Sequence, residues 1–489
     1  MFPATRSKTG ISGMDEILHG GLIAGRLYLL DGNPGAGKTT FALQYLLEGV
    51  RHGEKCLYIT LSETRQELEA GARSHGWSLD GIEIVELAAD YAGWQADEQL
   101  TMYAPAEVEL GEATGRILDV IERSNPSRLV FDSLSEMRLL AQSSLRYRRQ
   151  ILALKQFFIG RDTTVILLDD RTGEGPDMQL HSIAHGVIAL DSYTPTYGRV
   201  RRQLSVLKFR GSDFMSGFHD FSVCRGGVVV FPRLVAANHA AGFDSGLTLS
   251  GVPDMDALVG GGFDRGTSTL LVGPPGSGKS TIALQYAYAA VQRGEHAAIF
   301  MFDETKTALQ VRCAGLGMRL REGQGPGRMM IRQVDPVSIS PGEFAACVRH
   351  CVEAGGASVI VIDSLNGYLN AMPSHQSLTA QLHELLSYLN NQGVGTFLVV
   401  AQTGMIGANM NSPVDASYLA DSIVALRYFE HQGAVKKAIS VIKKRTGRHE
   451  VSIRELWFDG QGVHLSGPLL ELRGILTGVP AEAGAAFPA

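Results

Sequence analysis

Short runs of apolar, often β-branched residues recur along this chain, separated by longer stretches whose apolar positions return with a helical period. The first half carries Arg26-Leu27-Tyr28-Leu29-Leu30, Cys56-Leu57-Tyr58-Ile59-Thr60, Arg128-Leu129-Val130-Phe131 and Thr164-Val165-Ile166-Leu167-Leu168. The second half answers with Ser268-Thr269-Leu270-Leu271-Val272, Ala298-Ile299-Phe300-Met301-Phe302, Val359-Ile360-Val361-Ile362 and Thr396-Phe397-Leu398-Val399-Val400. Strands without a polar face, alternating with helices, predict an α/β class: mostly parallel sheets flanked by helices on both sides. Ligands of such sheets settle at the carboxyl ends of the strands.

The two halves repeat one another. Ala42-Leu43-Gln44-Tyr45 recurs as Ala283-Leu284-Gln285-Tyr286. The segment Ile11-Ser12-Gly13-Met14-Asp15 aligns with Leu249-Ser250-Gly251 and the following Asp254-Met255-Asp256 if a small insertion is allowed. Lys38 and Lys279 are 279 − 38 = 241 positions apart, and Glu63 and Glu304 are 304 − 63 = 241 apart. Asp132 and Asp363 are only 363 − 132 = 231 apart, so the first copy holds about ten extra residues, expected as a surface loop around Asp90 to Val108. The expected organisation is a domain over residues 1–235, a small, polar linker over 236–247, a second domain over 248–480 and a frayed tail over 481–489.

Each copy contains G-x-x-x-x-G-K-[ST] between a strand-like and a helix-like run. The first is Gly32-Asn33-Pro34-Gly35-Ala36-Gly37-Lys38-Thr39, followed by Thr40; the second is Gly273-Pro274-Pro275-Gly276-Ser277-Gly278-Lys279-Ser280, followed by Thr281. Successive backbone amides of such a loop converge on a polyphosphate, the lysine reaches its β/γ-phosphates, and the Thr or Ser hydroxyl takes a Mg²⁺ position. ATP and Mg²⁺ are the implied cofactors. Asp132 and Asp363, at the ends of apolar strands, suit the metal role through water. Glu63 and Glu304 close neighbouring strands as candidate bases, or else as acidic residues at a helix start. Asp303 precedes Glu304, whereas Ser62 holds the matching place, so the two sites are expected to differ in reactivity.

Basic pairs come late in each copy. Lys208 with Arg210, and Lys443 with Arg445, sit two apart and so share a strand face. They suit either fingers acting in trans on a neighbour's γ-phosphate or a charged strand edge. Arg199-Val200-Arg201-Arg202 is expected as solvated surface.

Composition narrows the classes. The 489 residues, 45% apolar, exceed one core and fit two globular domains. A net charge of −6 and no basic stripe with aromatics argue against nucleic acid. No apolar run reaches a membrane span and no signal-peptide core stands near Met1, so the expected location is cytoplasmic, with no membrane partner. The five cysteines form no C-x-x-C pair; Cys347 and Cys351, four apart in an expected helix, are read as small, semi-buried residues sharing a face, with a redox pair as the lesser alternative.

Taken together, the paired loops, Ser62-Glu63-Thr64 and Asp303-Glu304-Thr305, Ala72-Arg73-Ser74-His75-Gly76-Trp77, the Asp-Ser strand ends and Lys208-Phe209-Arg210-Gly211 resemble the KaiC-like branch of the RecA ATPase superfamily. The resemblance implies two tandem RecA-like P-loop domains and a homo-hexamer with ATP at subunit interfaces. It also implies an N-terminal domain that chiefly hydrolyses ATP and a C-terminal domain that can phosphorylate its own Ser and Thr residues. On this reading Asp303 is the base for the acceptor hydroxyl, Glu63 is left to orient water, Glu304 stays a catalytic candidate, and Ser417 is the candidate acceptor. Tyr418 stands where the family has a second acceptor, Thr. The alternative is an ATP-switched scaffold for a signalling protein, with slow hydrolysis and no kinase activity; a RecA-type DNA-dependent ATPase is the third reading.

Overall fold

Along each central strand the side chains part to two sides, and both sides are buried. In the first half Leu27, Leu29, Leu57, Ile59, Leu129, Phe131, Val165 and Leu167 enter one core, while Tyr28, Leu30, Tyr58, Val130, Ile166 and Leu168 enter another. That period of two, apolar on both faces, is what a parallel sheet sandwiched by helices requires. Phe41, Ala42, Tyr45 and Leu46 of helix Lys38–Arg51 cover one face. Ile117 and Ile121 of Pro105–Ser124, and Tyr147, Ile151, Leu154 and Phe158 of Ser144–Phe158, cover the other. Each fully buried Leu, Ile or Phe contributes about 1.5–3 kcal/mol relative to exposure.

The computed structural model describes residues 5–87, 105–141, 143–171, 178–196, 198–240, 242–320, 327–370, 375–402, 418–477 and 481–482. The chain divides into two units, Met1–Arg233 and Leu234–Ala489. The first sheet runs Ile82–Glu86, Cys56–Thr60, Arg128–Asp132, Thr164–Asp170, Leu27–Gly32, Gly186–Tyr193, Arg201–Phe209, Phe218–Cys224, Gly227–Phe231. Its first six strands are parallel and the last three antiparallel. The second sheet has the same order: Met329–Gln333, His296–Met301, Ala357–Asp363, Gly395–Ala401, Ser268–Gly273, Ser422–His431, then antiparallel Ala434–Lys444, Arg454–Asp459 and Gly462–Pro468. Two tandem RecA-like units are thus the architecture.

The repeat is tighter than the sequence alignment allowed. Thr9 Oγ1 donates to Asp15 Oδ1 at 2.7 Å, and Ser250 Oγ donates to Asp256 Oδ1 at 2.7 Å. The offsets are 250 − 9 = 241 and 256 − 15 = 241, so this segment carries no insertion relative to the lysines. Gln44 Nε2 donates to Gly10 O at 3.0 Å and Gln285 Nε2 to Ser250 O at 2.7 Å, which explains why that glutamine recurs. The expected loop around Asp90 to Val108 lies largely outside the described residues, and its last four residues belong to helix Pro105–Ser124. Arg201, expected at the surface, is buried at the start of Arg201–Phe209, where its strand pairs with Tyr193.

At the junction, Leu234 and Ala236 pack into a core of the second unit, Ala236 N donates to Glu384 at 2.9 Å, and Asn391 Nδ2 donates to Ala236 O at 3.1 Å. Among the described residues, no helix is long and apolar enough to cross a membrane.

Candidate functional site: two phosphate loops

Parallel strands end on one edge, and that edge collects the predicted residues. Strand Leu27–Gly32 feeds the loop, and Gly37 then turns the chain with φ 107° to start helix Lys38–Arg51. Strand Ser268–Gly273, Gly278 at φ 107° and helix Lys279–Gln292 repeat the arrangement. A glycine at this N-cap brings no side-chain acceptor to the first-turn amides, which leaves them to an anion.

Lys38 Nζ donates to Gly32 O at 2.8 Å and Asn33 O at 3.0 Å, so the lysine folds over its own loop. It also pairs with Asp170 Oδ1 at 2.6 Å. Thr39 Oγ1 stands 3.4 Å from Asp132 Oδ2, which also accepts from the Tyr58 hydroxyl at 2.5 Å. Asp132 is buried, and burial raises its pKa against the pull of Tyr58, Lys38 and Thr39. Glu63 is raised too, by burial first and then by Asp132, Glu67 and Asp170. It lies just before Thr64, whose capping box with Glu67 opens helix Arg65–Ser74.

In the second unit Lys279 Nζ donates to Pro274 O at 2.7 Å, and burial lowers its pKa to about 8 despite the nearby Asp363. Asp363 hydrogen-bonds Ser280, and burial raises its pKa. Glu304 pairs with Arg312 at 2.7 Å, yet burial still leaves its pKa raised. Asp303 Oδ2 accepts from Ser364 Oγ at 2.5 Å. The Ser277 hydroxyl is fully buried in the loop and, among the described residues, has no hydrogen-bond partner.

A loop of amides closed by a lysine, next to a hydroxyl and a carboxylate, fits a nucleotide phosphate with Mg²⁺, a hard cation that takes few protein oxygens and keeps waters. Gly35 has open space where a Cβ would stand, so its backbone can approach a ligand.

The basic pairs reach local targets. Lys208 Nζ donates to His181 O at 2.5 Å and Ser182 O at 3.2 Å, and Arg210 reaches Ser182 O at 3.4 Å. Lys443 Nζ donates to Ala420 O at 2.7 Å, while Arg445 contacts Asp421 at 3.2 Å and Tyr418 O at 3.0 Å. Within each copy the two members reach neighbouring carbonyls, although Arg210 and Arg445 lie just past the strands expected to hold them. Ser417 lies outside the described residues.

Five residues around the first site escaped the sequence reading: Asp170, Tyr58, Arg171, Asp31 and His181. Asp170 ends an apolar strand as Asp132 does, a signal that was present at Asp169-Asp170. Tyr58 sits inside an apolar run, and only the register beside Val130 brings its hydroxyl to Asp132. Arg171 ties Asp31 at 2.9 Å and Asp191 at 2.5 Å, and His181 stands 3.4 Å from Asp31, directly before the loop's first glycine.

A family model described as "ATPase: KaiC" matches residues 7–235 and 248–467. The chain is 26% identical over 480 residues to circadian clock protein KaiC3 of Synechocystis sp. (strain ATCC 27184 / PCC 6803 / Kazusa), covering 97% of this chain and 94% of that protein. It is 25% identical over 486 residues to circadian clock oscillator protein KaiC of Acaryochloris marina (strain MBIC 11017), covering 97% and 91%. A third relative, circadian clock oscillator protein KaiC of Thermosynechococcus vestitus (strain NIES-2133 / IAM M-273 / BP-1), is 26% identical over 483 residues, covering 96% and 91%.

Proposed function

Because this chain belongs to the KaiC ATPase family, we propose that it is a Mg²⁺-dependent ATPase with two unequal sites, one each in residues 1–235 and 248–480. In this reading it works as a cytoplasmic homo-hexamer with ATP at the subunit interfaces. One observation carries the proposal: in both units a lysine-closed loop lies beside a strand-end carboxylate, buried at Asp132 and half-buried at Asp363, that faces the loop's own Thr or Ser.

Lys38 and Lys279 hold the β/γ-phosphates, and the loop amides orient them. Thr39 with Asp132, and Ser280 with Asp363, would hold Mg²⁺, which when bound neutralises charge on the phosphates. Glu63 and Glu304 position the attacking water, and their raised pKa values bring each closer to a proton acceptor useful near neutrality. Asp303, steadied by Ser364, takes the proton of an acceptor hydroxyl in the second unit, which makes the protein a Ser/Thr autokinase with Ser417 as acceptor. Lys208, Arg210, Lys443 and Arg445 supply charge to the neighbouring subunit's site.

The test is ADP release by wild type against a Lys38→Ala/Lys279→Ala double variant, with phosphopeptide mapping and sizing by light scattering in ATP. Equal ADP release would refute the ATPase. A monomer in saturating ATP would refute the ring. A wild type without label at Ser417, matching Asp303→Asn, would refute the kinase.

A second reading, an ATP-switched signalling scaffold with slow turnover, draws support from the first site. There Asp170 already occupies Lys38 and Tyr58 occupies Asp132. Turnover confined to the second unit, with no phosphoprotein, would favour it.

A further inference from the structure

Away from both phosphate loops, the second unit gathers three sulfur atoms and a guanidinium. Cys347 and Cys351 lie four apart on helix Pro341–Glu353, hence on one face. Two side chains of the edge strand Met329–Gln333, Met330 and Arg332, touch that face of the helix. Arg332 Nη1 contacts Cys347 Sγ at the protein surface, and Cys351 Sγ approaches Met330 Sδ at 3.3 Å. Cys351 is buried and Cys347 only partly so. A pocket lined by Arg328, Met330 and His350 opens beside them.

We propose that Cys347 and Cys351 form a thiol oxidation site for small hydroperoxides, in which Cys347 is the attacking thiolate and Cys351 the resolving thiol. The neighbouring Cys351 thiol and the adjacent Arg332 lower the Cys347 pKa to about 7, against opposition from burial and Glu343. Cys351, beside that thiolate and desolvated by burial, keeps its proton and is raised.

In the first step the Cys347 thiolate attacks the peroxide oxygen. An S–O bond forms, the O–O bond breaks, and after protonation the products are a Cys347 sulfenic acid and an alcohol, or water from hydrogen peroxide. In the second, Cys351 sulfur attacks Cys347 sulfur, the S–O bond breaks, and water leaves with the Cys351 proton. Helix geometry separates Cα atoms four residues apart by about 6 Å and their Cβ atoms by roughly 5–6 Å, so the bond closes only if this helical turn distorts. A dithiol reductant restores both thiols and is itself oxidised to its disulfide. Disulfide formation would pull one helical turn against the sheet edge, so oxidation reports directly on the second unit.

Pre-reduced full-length protein, freed of reductant, is pulsed with hydrogen peroxide at neutral pH, alkylated and mapped by peptide mass spectrometry. Exposed Cys224 is the accessible reference thiol. The peptide holding Cys347 and Cys351 is expected to lose two hydrogens, reversibly with dithiothreitol, roughly tenfold faster than Cys224 oxidises, because the thiolate is the form that attacks peroxide. Cys351→Ser should stop at a sulfenic acid that dimedone traps at Cys347. Arg332→Met, at an exposed position, should slow the first step about tenfold. Oxidation of Cys347 no faster than Cys224, or unchanged in Arg332→Met, overturns the thiolate assignment. A sulfenic acid that persists in wild type overturns the resolving role of Cys351.

Discussion

Lys38 and Lys279 occupy matching positions yet meet different neighbours. The register Gly32↔Asp170 in one sheet corresponds to Gly273↔Ala401 in the other, so the acid that holds Lys38 is an alanine beside Lys279. Likewise Tyr58, whose hydroxyl occupies Asp132, corresponds to Ile299 by the 299 − 58 = 241 offset. An incoming phosphate must displace Asp170 from Lys38, and the carboxylate repels it as well. Asp170→Asn is therefore expected to tighten nucleotide binding at the first site about tenfold, or ~1.4 kcal/mol, a modest figure because Asp170 is partly exposed. Titration of a fluorescent ATP analogue in a Lys279→Ala background measures this, and unchanged affinity would mean the pair does not compete. Asp169, next along, is buried and its pKa is raised to about 6, chiefly by burial, despite Arg138 at 2.6 Å. The folded state therefore holds an extra proton between the ordinary aspartate range near 3.8 and about 6, and stability from this group declines as pH rises through that window. The unfolding free energy of wild type should fall relative to Asp169→Asn by roughly 2–3 kcal/mol from pH 4 to pH 6.5. A flat difference in urea titrations across that range would refute it.

Elements were legible where the hydrophobic pattern was strong. Each apolar run became a central parallel strand, and each loop motif lay between a strand and a 14-residue helix. The antiparallel strands that complete each sheet were less legible, since Arg201–Phe209 and Ala434–Lys444 carry charged residues on a part-exposed face and read as surface. The loop's geometry is strict. At Gly278, with φ 107°, a Cβ would stand 2.4 Å from the Phe458 ring. Gly278→Ala should cost the second unit about 2 kcal/mol or more and abolish nucleotide binding there while sparing the first site. Binding by the two sites, separated with Lys38→Ala and Lys279→Ala backgrounds, would show it. Helix Arg65–Ser74 offers a contrast, because its Thr64-x-x-Glu67 capping box is readable from local sequence alone.

At the scale of the whole molecule, duplication of one unit was evident from the recurring motifs, while the course of the chain between the units depended on packing. Because Leu234 and Ala236 lie in a second-unit core, a fragment of residues 234–489 should be more stable than one of 248–489 by about 2–4 kcal/mol, measured by urea unfolding. Equal stability would mean that this segment adds nothing to the unit. The sequence by itself determined the class of sheet, the two copies and the phosphate loops, because these rest on local periodicity and on spacing within a few residues. The tertiary structure alone decided that Asp170 grips Lys38, that Tyr58 reaches Asp132, and that Arg332 lies on Cys347. Those contacts join residues far apart in the chain, and which strands and helices become neighbours, hence which side chains meet, is settled only when the elements pack.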